Sequence, residues 1–309
     1  MSSMIMRYIL LRQHETIFLQ MTGLRVKEFD QLAEDVEMAY ARSEEKRLER
    51  QDRQRAVGGG RRAVLDVRDQ ILLTVIWLRH YPRQPVLGYL FGVSQTAVSH
   101  YVSHVLPVLE QAGLDTMRMP DPGKKRRRSL DDLLQAMPNL VVVIDSFEQK
   151  VQRPRGEEAQ KPYYSGKKKA HTVKSQVCIH EDTGEIVDIS DSVPGRTADV
   201  TLLDQSGLLS HLPEGVGAMG DLGYMGIDKR HALGFCPRKK PRGKDRPPED
   251  LAYNSAFSRR RIPVEQTIGR MRRYQAITQP DRHHRLLLTA RTRAVAGLAN
   301  RQIRCRLLH

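Results

Sequence analysis

Residues 139–149 read NLVVVIDSFEQ, and the fold turns on this stretch. Val141 to Ile144 are β-branched, which favours a pleated strand, and the run is apolar enough to be buried. It stops at an acid, Asp145. A bare carboxylate in a low-dielectric site costs several kcal/mol unless it is paired or holds a metal ion, so Asp145 needs a partner. Downstream, HTVKSQVCIH (171–180) and EIVDISDSV (185–193) predict two more strands, joined by a turn ending in Gly184. ADVTLLDQSGLLSHL (198–212) predicts a helix. EGVGAMGD (214–221) predicts a short buried strand ending at Asp221, and HALGFCPRK (231–239) a weaker fifth strand behind a short helix near Asp228. IPVEQTIGRMRRYQAI (262–277) and LLLTARTRAVAGLANRQI (286–303) predict two closing helices. Strands separated by helical crossovers predict an α/β fold, a mixed sheet flanked by helices.

Upstream the pattern is helical. Residues 21–54 are charge-rich and end in AVGGGRR, where Gly58 to Gly60 mark a break. VLDVRDQILLTVIWLRHYP (64–82) has helical apolar spacing and stops near Pro82. VLGYLFGVSQTAVSHYVSHVL (86–106) carries a small residue at Gly88, a turn glycine at Gly92 and an N-cap at Ser94. Val98, Val102 and Val105 form an inward stripe, leaving Gln95, Thr96, Ser99, His100 and Ser103 outward. That is the pattern of a helix-turn-helix offering hydrogen-bonding side chains to base edges. An ordinary helical hairpin has the same periodicity, and the outward face has no Arg or Lys. MPDPGKKRRRS (119–129) is the expected linker, with Ser129 capping a short helix, LDDLLQAM. Its five consecutive cations suit either phosphates or solvent. The expected organisation is a helical domain over 1–120 with its helix-turn-helix at about 86–106, a basic linker and short helix over 121–138, and an α/β domain over 139–309.

The net charge of +15 is unevenly spread. Residues 228–309 hold 21 Lys/Arg and 6 Asp/Glu, so the other residues balance at 30 of each sign. A one-sided excess of this size attracts a polyanion, nucleic acid above all, although a solubilising basic tail would share the composition. Cys178, Cys236 and Cys305 match neither a disulfide framework nor a zinc spacing, which points to a reducing cytoplasm. No apolar run reaches the roughly 18 residues of a membrane span, and Arg7 and Arg12 interrupt the N-terminal stretch, against a signal peptide.

Asp145 and Asp221 each end an expected strand. If those strands are neighbours, the two carboxylates meet, and either one keeps a proton or both bind a cation. Magnesium, an oxygen-seeking ion often held by one or two carboxylates plus a phosphate, resolves the conflict. Glu265 is expected on a helix with Arg261 and Arg272 on the same face. Such a face can bind metal and phosphate together, or can be a surface ladder of ion pairs. Asp191, Asp199 and Asp204 are competing acids.

Taken together, IDSFEQKVQRP, YYSGKKKAHTVKSQV, PGRTADVTLL, GDLGYMG and RRRIPVEQTIGRMRRY resemble the DDE transposases of bacterial insertion sequences, a group that includes the Harbinger-type eukaryotic elements. LTVIWLRHYPRQPVLGYLFGVSQTAVSHYV is similar to the helix-turn-helix that precedes the catalytic domain there. The resemblance covers nearly the whole chain. It implies an RNase H-like fold and a carboxylate triad, Asp145, Asp221 and Glu265, binding two Mg2+ ions, with Mn2+ as a substitute. It places Tyr224 in the second motif, Arg261 and Arg272 around the glutamate, and Lys167, Lys168, Lys169, His171 and Lys174 in a basic stretch that meets DNA backbone. Two positions depart from the family: Ala198 precedes Asp199 where a histidine is usual, and Ser258 stands where a tyrosine often sits. Asp199 therefore ranks behind the triad. The implied protein is a cytoplasmic, nucleoid-associated DNA transposase that cuts terminal inverted repeats, assembles on double-stranded DNA as a dimer or higher, and has no membrane partner. A catalytically inactive relative acting as a DNA-binding regulator, or a basic protein coating DNA, are the readings from other classes.

Overall fold

The computed structural model describes residues 5–48, 63–123, 140–243, 245–282 and 287–307. The triple glycine, most of the basic linker and the helix expected over LDDLLQAM lie outside the described residues.

The N-terminal part is helical: α1 (Tyr8–Leu11), α2 (Glu15–Thr22), α3 (Val26–Leu48), α4 (Val67–His80), α5 (Gln84–Phe91) and α6 (Gln95–Leu114). Asp66 caps α4 by accepting from the Asp69 amide at 2.7 Å. α6 runs eight residues past its expected end because Pro107 is accommodated inside it, with Val108, Leu109 and Ala112 buried beyond it. Burial of the following turn outweighs the one backbone hydrogen bond a proline removes.

The sheet contains β1 (Val141–Lys150), β2 (Tyr164–Ser165), β3 (Ala170–His180), β4 (Ile186–Ile189), β5 (Val193–Pro194), β6 (Gly217–Met219) and β7 (Gly234–Phe235). The helices between and after them are α7 (Glu157–Gln160), α8 (Asp199–Ser206), α9 (Pro248–Met271) and α10 (Leu288–Leu307). β1 lies centrally, antiparallel to β3 and parallel to β6, and β7 continues parallel beside β6. β2, β5 and β4 take successive stretches of the far edge of β3. The order β4-β3-β1-β6-β7, with β3 reversed, is a mixed sheet flanked by helices, the RNase H-like arrangement that the resemblance implies.

Alternate residues of β1 enter opposite cores, as the two-residue period of a strand requires. Val142 and Ile144 pack with Cys178, Leu203 and Tyr224. Val141, Val143 and Phe147 join the larger core with Phe257, Val264 and Ile268 of α9, and that core continues into α4, α6 and α10. β1 does not stop at Asp145. Its ladder with the long β3 runs on to Lys150↔Thr172, so the acid sits mid-strand, just past the end of the shorter parallel pairing with β6. α9 starts fourteen residues before the helix expected at 262, because buried Ala256, Phe257 and Arg260 anchor its earlier turns and Pro263 is tolerated inside it.

α6 and α10 cross at two glycines. A Cβ on Gly297 would lie 2.3 Å from the Gly113 Cα, so only glycine lets these backbones approach. The N-terminal helices thus share a core with the last helix of the chain.

Candidate active site and nucleic-acid interface

Register brings the first two acids together. Val143 pairs with Met219 across β1 and β6, and Asp145 and Asp221 each follow two residues later. Asp145 Oδ1 accepts from the Ser146 amide at 2.7 Å, and its Oδ2 lies 3.2 Å from Arg261 Nη2 of α9. Asp221 caps the short 3-10 turn Leu222–Tyr224, accepting from the Gly223 amide at 2.8 Å. Burial raises the pKa of Asp145; the Ser146 amide and Arg261 oppose the rise, while the facing carboxylates of Asp221 and Asp199 add to it.

Asp199, ranked behind the triad by sequence, stands among these acids at the first turn of α8. Its Oδ1 accepts from Ser146 Oγ at 2.7 Å and from Lys174 Nζ at 2.9 Å. Its Oδ2 turns towards Asp221: a Cβ at Gly223 would lie 2.4 Å from Asp199 Oδ2 and 3.0 Å from Asp221 Oδ1. The two carboxylates crowd one small space, which the glycine of the GDLGY motif keeps open. The competitors are spent elsewhere. Asp204 takes Arg230 at 2.6 and 2.9 Å, and the exposed Asp191 takes Arg293 at 3.0 Å.

Tyr224 is buried beneath this group, and its hydroxyl has no hydrogen-bond partner among the described residues. Burial, followed by the charges of Asp199, Asp145 and Asp221, holds that hydroxyl firmly protonated.

Glu265 lies one turn beyond Arg261 on α9 and is exposed. Four residues apart on a helix is the same face, so it stands above the arginine that reaches Asp145. Arg272 caps the end of α9 and is exposed. No three acidic, histidine or cysteine side chains close on a common metal position among the described residues. Arg261 on Asp145 and Lys174 on Asp199 supply the neutralising charge instead. The donor set still fits a divalent cation: hard carboxylate oxygens facing one another, one of them biased towards its proton, over an unsatisfied buried hydroxyl.

Lys174 is a correction. Expected on DNA backbone, it is 8% exposed and turned inward, donating to Asp199 and to the Thr197 carbonyl at 2.7 Å. Burial on both faces of β3 decides this: every residue from Thr172 to Ile179 is buried, and Lys174 lies on the face where Asp199 of α8 meets it. Lys167, Lys168 and Lys169 are exposed on the turn between β2 and β3, and His171 is half-buried beside Tyr164, their rings 5.7 Å apart. Sequence periodicity also missed Ser146, whose only prior signal was its place next to Asp145.

In the helix-turn-helix, Gly92 ends α5 at φ 65, and Ser94 Oγ accepts from the Ala97 amide at 3.2 Å to start α6. Gly88 is needed against the turn itself: a Cβ there would lie 2.6 Å from the Val93 carbonyl oxygen. Val98, Val102 and Val105 are buried, while Gln95, Thr96, Ser99, His100 and Ser103 are exposed along one side of α6.

The description "DDE superfamily endonuclease" matches residues 144–300, and "Helix-turn-helix of DDE superfamily endonuclease" matches residues 63–115. This chain belongs to the DDE superfamily endonucleases. It is 31% identical over 246 residues to a probable transposase for insertion sequence element IS702 from Microchaete diplosiphon, covering 79% of this chain and 83% of that one. Among solved structures it is similar to the Mos1 mariner paired-end complex with Mn, at 12% identity and TM-score 0.24 over 86% of this chain and 83% of that one. A pre-cleavage Mos1 transpososome matches at 12% identity and TM-score 0.21, over 86% of this chain and 84% of that one. The DDE endonuclease region runs from β1 to α10, so it includes Asp145, Asp199, Asp221 and Glu265. No helix among the described residues is long and apolar enough to cross a membrane.

Proposed function

We propose that this DDE endonuclease is a DNA transposase, cutting at the terminal inverted repeats of an insertion sequence and joining the freed ends to target DNA. The observation that carries this reading is the convergence of Asp145 and Asp221 past the paired ends of β1 and β6. Asp145, Asp221 and Glu265 would hold two divalent ions, Mg2+ for preference, with Asp199 turned to the same space as an auxiliary. Such ions, when bound, activate a water or hydroxyl oxygen and stabilise the leaving oxygen of the phosphodiester. Arg261, freed from Asp145, can turn its guanidinium to a DNA phosphate. Lys174 and Ser146 fix the rotamer of Asp199. Tyr224 Oη has a proton to donate and no acceptor among the described residues, so it can steady a water or carboxylate oxygen above it. Water attacks the phosphorus at the element's end and the 3′-oxygen leaves, taking up a proton. The resulting 3′-hydroxyl then loses its proton and attacks a target phosphorus in line, and the target strand's own 3′-oxygen leaves and takes up a proton. The exposed face of α6 reads the repeat, and Lys167, Lys168, Lys169 and His171 meet backbone.

A second reading has one observation in its favour: Asp145 and Asp199 already carry cationic partners, as in a regulator that binds DNA without cutting it. Labelled end DNA incubated with Mg2+ or with EDTA separates the two. The transposase reading expects Mg2+-dependent 3′-hydroxyl ends that Glu265→Gln and Asp221→Asn abolish while binding persists. Cleavage surviving in Glu265→Gln would remove that residue from the triad, and tight binding with no cleavage in the wild type would favour the regulator.

A further inference from the structure

A cleft of about 500 Å3 opens where the ends of α2, α4, α9 and α10 meet the start of α3. Its walls bring together Arg25, Arg79, Arg273 and Arg306. The one carboxylate lining it among the described residues, Glu28, is buried and committed: it accepts from the Arg25 amide at 2.8 Å and from the Cys305 thiol. Arg79, Arg273 and Arg306 form no ion pair with any described residue. Arg79 lies over the Tyr274 ring at 5.2 Å, and its Nη1 is buried without a hydrogen-bond partner among the described residues.

Other arginines of the same region are treated differently. Arg260 meets Glu181, Arg291 meets Asp281, Arg301 meets Asp35 and Arg304 meets Glu185, each at 2.5 to 2.6 Å. Where an arginine serves the fold, a carboxylate answers it. In the cleft the like charges press on one another: burial and Arg273 pull the pKa of Arg79 down, and burial, Arg306 and Arg273 do the same to Arg270 nearby. Converging helix C-termini offset part of this repulsion, but they do not fill a cleft open to solvent.

We infer that this cleft binds backbone phosphates of the DNA held at the acidic site, a contact separate from both α6 and the β2–β3 turn. Guanidinium forks are matched to phosphate oxygens, and an anion would satisfy Arg79 Nη1. α9 gives the connection. From Arg261 to the end of α9 at Met271 is ten residues, roughly 15 Å of helix, and Arg273 lies in the turn just past it. At 3.4 Å per step that is on the order of four base pairs, a separation within the length of one duplex. The inference rests on the reading of this chain as a DNA-binding protein, not on its cutting DNA.

The test measures affinity of the full chain for end DNA in EDTA across a salt series, so that cleavage plays no part. Arg273 and Arg306 are both exposed, which makes R273Q/R306Q the variant of choice. Losing two phosphate contacts should make the slope of log K against log salt shallower by about two. R230Q/K240Q, which removes two surface cations already paired with Asp204 and Asp245, should keep the wild-type slope. Binding is read in EDTA, where no cleavage occurs, so a failure of the cutting mechanism leaves this result standing. An unchanged slope in R273Q/R306Q overturns the inference, as does an equal loss in the control pair. Inorganic phosphate that stabilises the wild type but not R273Q/R306Q against heat, with no change in the DNA slope, would make the cleft a free-anion site and also overturn it.

Discussion

Asp145 sits where folding and function conflict. Its carboxylate is largely withdrawn from water and faces two others, so the native state binds its proton more tightly than the unfolded chain does. With the native pKa raised, stability from this group is fullest at acid pH and declines as pH rises through the raised value. Asp145→Asn keeps an acceptor for Ser146 and Arg261 and removes the charge. In metal-free buffer it should melt above the wild type at pH 7, with the gap closing as pH falls below about 4, the ordinary carboxylate value. Differential scanning calorimetry across pH checks this, and a lower melting temperature for the variant at pH 7 would contradict it. Mg2+ should stabilise the wild type more than Asp145→Asn. At this scale the sequence exposed Asp145 and Asp221 by their places at the ends of apolar runs. It could not rank Asp199 or turn Lys174 inward, because both depend on which face of β3 meets α8.

At the scale of elements, the turn and the start of the recognition helix were legible: turn glycine, cap and inward valines all fall where the spacing put them. Ser94→Ala should cost about 1 kcal/mol in urea unfolding, the usual worth of an N-cap. Replacing Gln95 and His100 by alanine should narrow the preference for end DNA over random duplex at fixed salt while leaving the fold intact. An unchanged preference would move sequence reading away from α6. The lengths of α6 and α9 were not legible, since a proline inside each reads locally as a stop. Burial on either side of Pro107 and Pro263 carries the helix through. The crossing of α6 on α10 gives a sharper test. Gly297→Ala puts a methyl 2.3 Å from the Gly113 Cα, so the helices must part. Overpacking of this kind costs about 1–3 kcal/mol, readable as a lower urea midpoint.

Across the whole molecule, the N-terminal helices are bound to the C-terminal one by a buried polar knot. Arg291, fully buried in α10, donates to Asp281 at 2.6 Å and to Tyr81 Oη at 2.9 Å. Asp281→Ala would strand the guanidinium in the core and should cost about 3–5 kcal/mol. One cooperative transition, lowered as a unit, is the expected denaturation profile. Two separated transitions would mean that the shared core does not couple the parts. The basic excess of the last quarter also divides here. Arg260, Arg291, Arg301 and Arg304 are structural, while Arg79, Arg273 and Arg306 form no ion pair among the described residues around one cleft.

Sequence alone determined the mixed sheet, the helix-turn-helix and two of the acids, because strand period, helix period and capping are local and repeat within a few residues. Tertiary structure alone decided that Asp199 joins those acids, that Lys174 serves them, and which arginines have an anion to answer them. Those outcomes depend on contacts between residues far apart in the chain, where burial sets the strength of every charge and no local pattern records its partner.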